Sequence, residues 1–270
     1  MCTTRHLVPI FGVSKLSVGT DIPIPSALEF CDSMTSDASS IKYQDKTWED
    51  KVSGIVWRGN DSTNPRHQLF VSMMNATAVR EAQSNPNTTE SDLSSALAKF
   101  PRYTNTSTEY VDLPAWITLI ANVGFSSANP DSIFKPVRPM DATQQLSFYK
   151  FLPSLSSSPS FLTHLHSTSV PLVSAMHTTW LSSRIVPWLH FVPMNHAFMD
   201  IYAILDCFVG NGKASSGAHG EMVRHGAHDE EAMRIATEGK EWAERVVRWE
   251  DMLVYLGRVG IEWGRVYGRH

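Results

Sequence analysis

The residues with the strongest claim to chemistry form the run Arg58-Gly59-Asn60-Asp61-Ser62-Thr63-Asn64-Pro65-Arg66. It follows the compact β-rich stretch Gly54-Ile55-Val56-Trp57 and leads into Pro65 to Met74, which reads as a helix with proline at its first position. A strand, a polar loop with small hydroxyls and arginines, and then a helix N-terminus suit a diphosphate, because the first helical turn offers unpaired N–H groups and the positive end of a dipole. Arg58, Gly59, Asn60, Ser62, Thr63 and Arg66 are therefore the candidate ligand-binding residues. Asp61 runs against a simple anion nest, and on spacing alone a polar turn with solvated arginines is the simpler reading.

Other chemistries find less support. Gly210-Asn211-Gly212-Lys213 resembles the end of a P-loop, but Cys207 stands where the upstream glycine is required. The 11 histidines include no H-E-x-x-H pair; His164 and His166 are two apart, and His219, His225 and His228 lie in a Gly-rich stretch, so no metal site is expected. There is no G-x-S-x-G nucleophile elbow, and the acidic pairs Glu230-Glu231 and Glu250-Asp251 read as a solvated helix face.

The elements that would position the candidate run alternate as β/α units. Residues 1–50 read as loops with one or two short strands, and Asn75 to Pro114 as a polar, exposed insertion holding one short helix, Glu90 to Phe100. Trp116 to Val123 and Leu146 to Leu152 read as buried strands, and Val170 to Val173 and His190 to Pro193 as short ones. A helix is expected over Met199 to Val209, a loop over Gly210 to Gly226, and a long helix capped by Asp229 and reaching Trp249. Asp251 to Val266 continues the helical period, although Gly257, Gly260 and Gly264 either weaken that helix or permit close packing. The order implies an α/β domain with a parallel sheet.

Composition sets outer bounds. A net charge of -4 and 42% hydrophobic residues describe a globular chain without the basic stripe that nucleic acid requires. Leu181 to Ile204 is broken by Arg184, Pro187, His190, Pro193, Asn195, His196 and Asp200, so no membrane span is expected, and no targeting signal is visible. Cys2, Cys31 and Cys207 are too dispersed to read as a disulfide framework. Four sequons, at Asn60, Asn75, Asn87 and Asn105, are a weak excess over chance.

Four collinear segments then narrow the reading: TWEDKVSGIVWRGNDS, SFYKFLPS, SRIVPWLHFVPMNHAFMDIYAILDCF and RIATEGKEWAERVVRWEDMLVYLGRV. Together they resemble glycosyltransferase family 90, the capsule-associated and protein O-glucosyltransferase type, especially its fungal members; Val186 to Pro193 is the most specific part. The resemblance implies a GT-B-type architecture, with residues 1–50 a remnant of the acceptor-side region and residues 51–270 a Rossmann-like nucleotide-sugar-binding domain with a helical C-terminus. It implies metal-independent transfer of glucose or xylose from a UDP-sugar to a glycan or protein hydroxyl, in the ER or Golgi lumen. Arg58, Gly59, Asn60, Ser62, Thr63 and Arg66 would line the diphosphate side.

Two departures accompany the match. After the K-F-L-P element the family carries Asp-Gly-Asn and then a Ser-Gly-Arg-like donor-binding group, whereas this chain reads Ser154 to His164 with no arginine. The family's proposed catalytic Asp lies upstream of the segment resembling Pro9 to Lys15 and has no counterpart, so no catalytic residue is assigned. The alternative expectation is a noncatalytic, degenerate copy that acts as a binding module.

Overall fold

A computed structural model describes residues 10–16, 18–27, 29, 45–60, 64–84, 112–127, 134–155, 160–174, 176–210, 214–216, 222–224 and 228–267. Two strands of two residues each, β1 (Phe11–Gly12) and β2 (Ile22–Pro23), pair in parallel ahead of the main sheet. That sheet holds β3 (Val52–Asn60), β4 (Ala121–Ser127), β5 (Tyr149–Ser154), β6 (Val170–Val173) and β7 (Val192–Pro193). All neighbours are parallel, in the order β4-β3-β5-β6-β7. Taken in chain order this is 2-1-3-4-5, one of the two common doubly wound arrangements, and the order reverses between β3 and β5.

The connecting helices are α1 (Pro65–Met73), α2 (Ala76–Ser84), α3 (Leu113–Ile120), α4 (Ala142–Phe148) and α5 (Ser160–Leu165). After the sheet come α6 (Ile201–Val209), the antiparallel pair β8 (Ala214–Ser216) and β9 (Met222–Arg224), and two long helices, α7 (Asp229–Val246) and α8 (Trp249–Tyr267). Caps explain several starts. Asn64 Oδ1 accepts from the Arg66 amide with Pro65 at the first position, and Asp141 accepts from the Gln144 amide at 2.7 Å.

Alternation along the strands sends side chains to two covered faces. Ile55 and half-buried Trp57 of β3 and Phe151 of β5 face a core with Phe70 and Met73 of α1, Trp116 and Ile117 of α3, Tyr202 and Phe208 of α6 and Ile235 of α7. Val56 and Leu152 turn the opposite way, onto Leu146 of α4. Each such fully buried side chain contributes roughly 1.5–3 kcal/mol, and helices on both faces are what a parallel sheet requires. A further cluster joins Leu162, Trp180 and Leu181 to Ala243, Val247 and Met252. Helix α7 bridges this cluster and the first core, and passes close to the backbone at Gly239, where a β-carbon would lie 2.5 Å from the His190 carbonyl oxygen.

In α8, Met252 is buried and Tyr255, Leu256, Val259 and Trp263 are half-buried. Tyr255 Oη donates to the Pro23 carbonyl at 2.7 Å, and the Trp263 ring meets Phe11 at 4.9 Å. Gly257, Gly260 and Gly264 have open space where a β-carbon would be. Each costs about 1 kcal/mol of helix stability relative to alanine.

The strand expected over Trp116 to Val123 is corrected: the chain is helical to Ile120 and extended only from Ala121. Asp112 caps that helix and Pro114 sits in its first turn, so the apolar run crosses a helix–strand junction. Leu146 to Phe148 likewise belongs to α4, and β5 begins at Tyr149. The insertion from Asn75 contains α2, seated by buried Val79, whereas the helix read over Glu90 to Phe100 lies outside the described residues. Part of the expected loop over Gly210 to Gly226 forms β8 and β9. Asp229 begins α7 rather than capping it; its carboxylate takes the Lys150 ammonium at 2.8 Å and the Trp48 indole N–H at 2.9 Å.

Candidate anion-binding crevice

In a doubly wound sheet the ligand crevice lies outside the carboxyl ends of the strands, where the strand order reverses. Here those ends are Asn60 of β3 and Ser154 of β5, and Arg58, Gly59, Asn60 and Arg66 all lie at or next to them. Asn60 pairs in register with Ser127 after an irregularity at Gly59/Asn60. Ser62 and Thr63 lie outside the described residues.

Arg66, in the first turn of α1, reaches across the carboxyl edge. Its Nε donates to the His196 carbonyl at 3.1 Å, Nη1 to the Leu155 carbonyl, and Nη2 to the carbonyl and hydroxyl of Ser174. These acceptors follow β7, β5 and β6 respectively, so one guanidinium ties three strand ends to α1. Ser174 Oγ passes its own proton to the Asn195 carbonyl at 2.9 Å. The Phe198 ring lies 5.1 Å from the guanidinium carbon, with Phe198 itself held at φ 54°, a left-handed conformation rare for an aromatic residue.

Arg58 is anchored too, but its guanidinium turns back from the strand ends, toward Asn122, the second residue of β4, which is in register with Val56. The Arg58 Nε donates to the Arg138 carbonyl at 3.0 Å, Nη1 to the Trp57 and Asn122 carbonyls, and Nη2 to Asn122 Oδ1 at 2.6 Å. Each guanidinium thus gives four of its five N–H groups to the protein's own neutral acceptors. Gly59 serves packing, since a β-carbon there would enter the Trp57 ring. The first turn of α1 is also occupied: the Arg66 amide donates to Asn64 Oδ1, and the His67 and Gln68 amides lie 3.1 and 3.2 Å from the Asn64 carbonyl.

Among the described residues no carboxylate is a hydrogen-bond partner of Arg58 or Arg66, and burial lowers the proton affinity of both. His67 and His196 report the resulting field: burial, then the nearby Arg66 charge, holds each imidazole below its ordinary pKa. Sequence reasoning did not single out these histidines, although His67 directly follows Arg66 and His196 follows β7 by three residues.

Two other groups stand apart from the crevice. Lys51, at the amino edge of the sheet, is buried and donates to the Leu146 carbonyl and to Ser169 Oγ, both at 2.7 Å, beside Asp45 at 2.6 Å. Burial pushes its pKa down to about 8 against the opposing pull of Asp45. Every one of these contacts is internal, so the group anchors the strand starts. His164 has its Nδ1 buried without a hydrogen-bond partner among the described residues, and burial lowers its pKa to about 4. Among the described residues no group of three His, Cys, Asp or Glu side chains is arranged to hold a metal, and no helix is long and apolar enough to cross a membrane.

A comparison with protein-family models finds no match to this chain, and a comparison with curated proteins finds none.

Proposed function

We propose that the crevice between the carboxyl ends of β3 and β5 binds the diphosphate of a nucleotide sugar, in a glycosyltransferase-type domain. The observation that carries this reading is the Arg66 guanidinium, held across the carboxyl ends of β5, β6 and β7 by acceptors that, among the described residues, are all neutral. A preorganised cation of this kind attracts a diphosphate and stabilises the charge that develops on a departing nucleotide. The four segments resembling family 90 favour a UDP-sugar as donor, glucose or xylose as the transferred group, and a glycan or protein hydroxyl as acceptor. A GT-B arrangement and residence in the ER or Golgi lumen belong to the same reading.

A binding module without transfer is the second reading, favoured by the extent to which the arginines and the first turn of α1 are already satisfied internally. Calorimetric titration with UDP, UDP-glucose and UDP-xylose, with pyrophosphate as a control anion, tests both. Micromolar binding that weakens with added salt, together with release of UDP from the sugar nucleotide, supports the enzyme. Binding without release supports the module, and no heat at millimolar ligand overturns the nucleotide-sugar site. Because Arg58 and Arg66 are anchors, circular dichroism must accompany any variant at either position.

A further inference from the structure

Asn75-Ala76-Thr77 is one of the four Asn-x-Ser/Thr runs in the chain, and it falls where α1 turns into α2. The fold engages almost every polar group of Asn75. Its backbone N–H donates to the Ser72 carbonyl at 3.2 Å, and its backbone carbonyl accepts from the Val79 amide at 3.0 Å. Its side-chain Oδ1 accepts from the Thr77 and Ala78 amides at 3.0 and 3.1 Å, which makes Asn75 the cap of α2. The group left without a partner among the described residues is the side-chain nitrogen, Nδ2. Bonding through Oδ1 fixes the plane of the side-chain amide and leaves Nδ2 on the side away from the α2 amides. Asn75 and Thr77 are both exposed.

N-glycosylation uses Nδ2 alone. A bond forms from Nδ2 to the anomeric carbon of a lipid-diphosphate-linked oligosaccharide, and the C–O bond to the diphosphate breaks. The lipid diphosphate departs, and one Nδ2 proton passes to a base of the transferring enzyme. Oδ1 stays an acceptor throughout, so the sugar and the helix cap coexist on one side chain. Placement agrees with chemistry. Helix α1 starts beside the crevice at Pro65 and carries the chain about 14 Å back toward the amino edge of the sheet before Asn75 is reached. Asn60-Asp61-Ser62 is the contrary case, because Asn60 ends β3 at the crevice, where an attached sugar would obstruct a ligand. Asn87 and Asn105 lie outside the described residues.

We infer that Asn75 is an acceptor of an N-linked glycan, carried at the turn between α1 and α2 and clear of the crevice, and that Asn60 is not. This rests on the lumenal residence in the reading above, since sequons are used in the secretory pathway.

Secretion of the whole chain from a eukaryotic host behind a cleavable leader tests this, with peptide mass spectrometry after an amidase has removed the glycans and left Asp at each modified Asn. Asn75 is expected among the marked positions and Asn60 is not. Thr77→Ala should abolish the mark at Asn75 and Thr77→Ser should keep it. Asn75→Asp should lose the glycan yet melt with the unglycosylated wild type, because a carboxylate still caps α2. Asn75→Gln loses glycan and cap together and should melt about 2–4 °C lower. A secreted chain with Asn75 unmarked, or with Asn60 marked, overturns the inference. The leader brings the chain into the lumen whatever its native compartment, so an unmarked Asn75 counts against this site and not against lumenal residence. The UDP titration of unglycosylated protein tests the crevice separately.

Discussion

The indole of Trp57 occupies the space that a β-carbon on Gly59 would fill, two residues along the same strand. That ring also meets His67 at 5.4 Å, Phe70 at 5.9 Å and Phe125 at 5.8 Å, so it has nowhere to retreat. Gly59→Ala should therefore destabilise the fold by about 1–3 kcal/mol through overpacking. Chemical denaturation measures that loss, and a shift in tryptophan emission would register the displaced ring. An alanine tolerated with neither change would show that the strand end is looser than described.

Arg66 contributes both a latch and a charge, and two substitutions separate them. Arg66→Met leaves the Leu155, Ser174 and His196 acceptors without their donor and should cost about 2–4 kcal/mol. It should also let the His67 and His196 pKa values rise, because the cation that opposes their protonation is gone. Arg66→Lys should lose most of the same stability, since one ammonium cannot span the acceptors, yet keep both imidazoles depressed. NMR titration of the histidines gives the readout.

His164 sets an acid limb. Its folded pKa of about 4 lies below the ordinary histidine value of 6.5, so the unfolded chain binds the proton first as pH falls. The stability from keeping this imidazole neutral is complete above pH 6.5 and is lost on acidification toward pH 4, amounting to about 3 kcal/mol. His164→Leu should flatten that part of the stability–pH curve; an unchanged slope would refute the assignment.

Lys51 acts at the alkaline end with the opposite charge change. Folding lowers its pKa to about 8 from the ordinary 10.5, so the folded state releases the proton first and stability rises between those values. At neutral pH, Lys51→Met strands the Asp45 carboxylate and should destabilise by about 3–5 kcal/mol. Adding Asp45→Asn should recover a large part, and neither variant should gain stability between pH 8 and 10.5. Urea melts across that range decide the matter.

Local chemistry in the chain announces the frame of the fold. Pro65 marks the start of α1, the apolar runs around Ile55 and Val170 mark strands, and the period beyond Asp229 marks α7. Trp116 to Val123 misled because an unbroken apolar run carries no period by which a buried helix and a buried strand differ. Asp112 and Pro114, a cap and a first-turn proline, were the available signal. The crevice was legible as a place and illegible as a geometry. Arg66 finds its acceptors 89, 108 and 130 residues away, and Arg58 finds Arg138 at a separation of 80, so neither latch leaves a trace in neighbouring sequence.

The contacts of Phe11 with Trp263 and of Pro23 with Tyr255 bear on how the molecule is made. Phe11 leaves the ribosome some 250 residues before its partner, a wait of roughly 10 to 50 s at ordinary elongation rates. Throughout that interval Phe11 has no Trp263 ring and Pro23 no Tyr255 hydroxyl to meet, and the parallel sheet can close without them. The amino-terminal segment can pair with Thr178 through Lys15 well before then, so its two contacts with α8 are the late step that completes its seat.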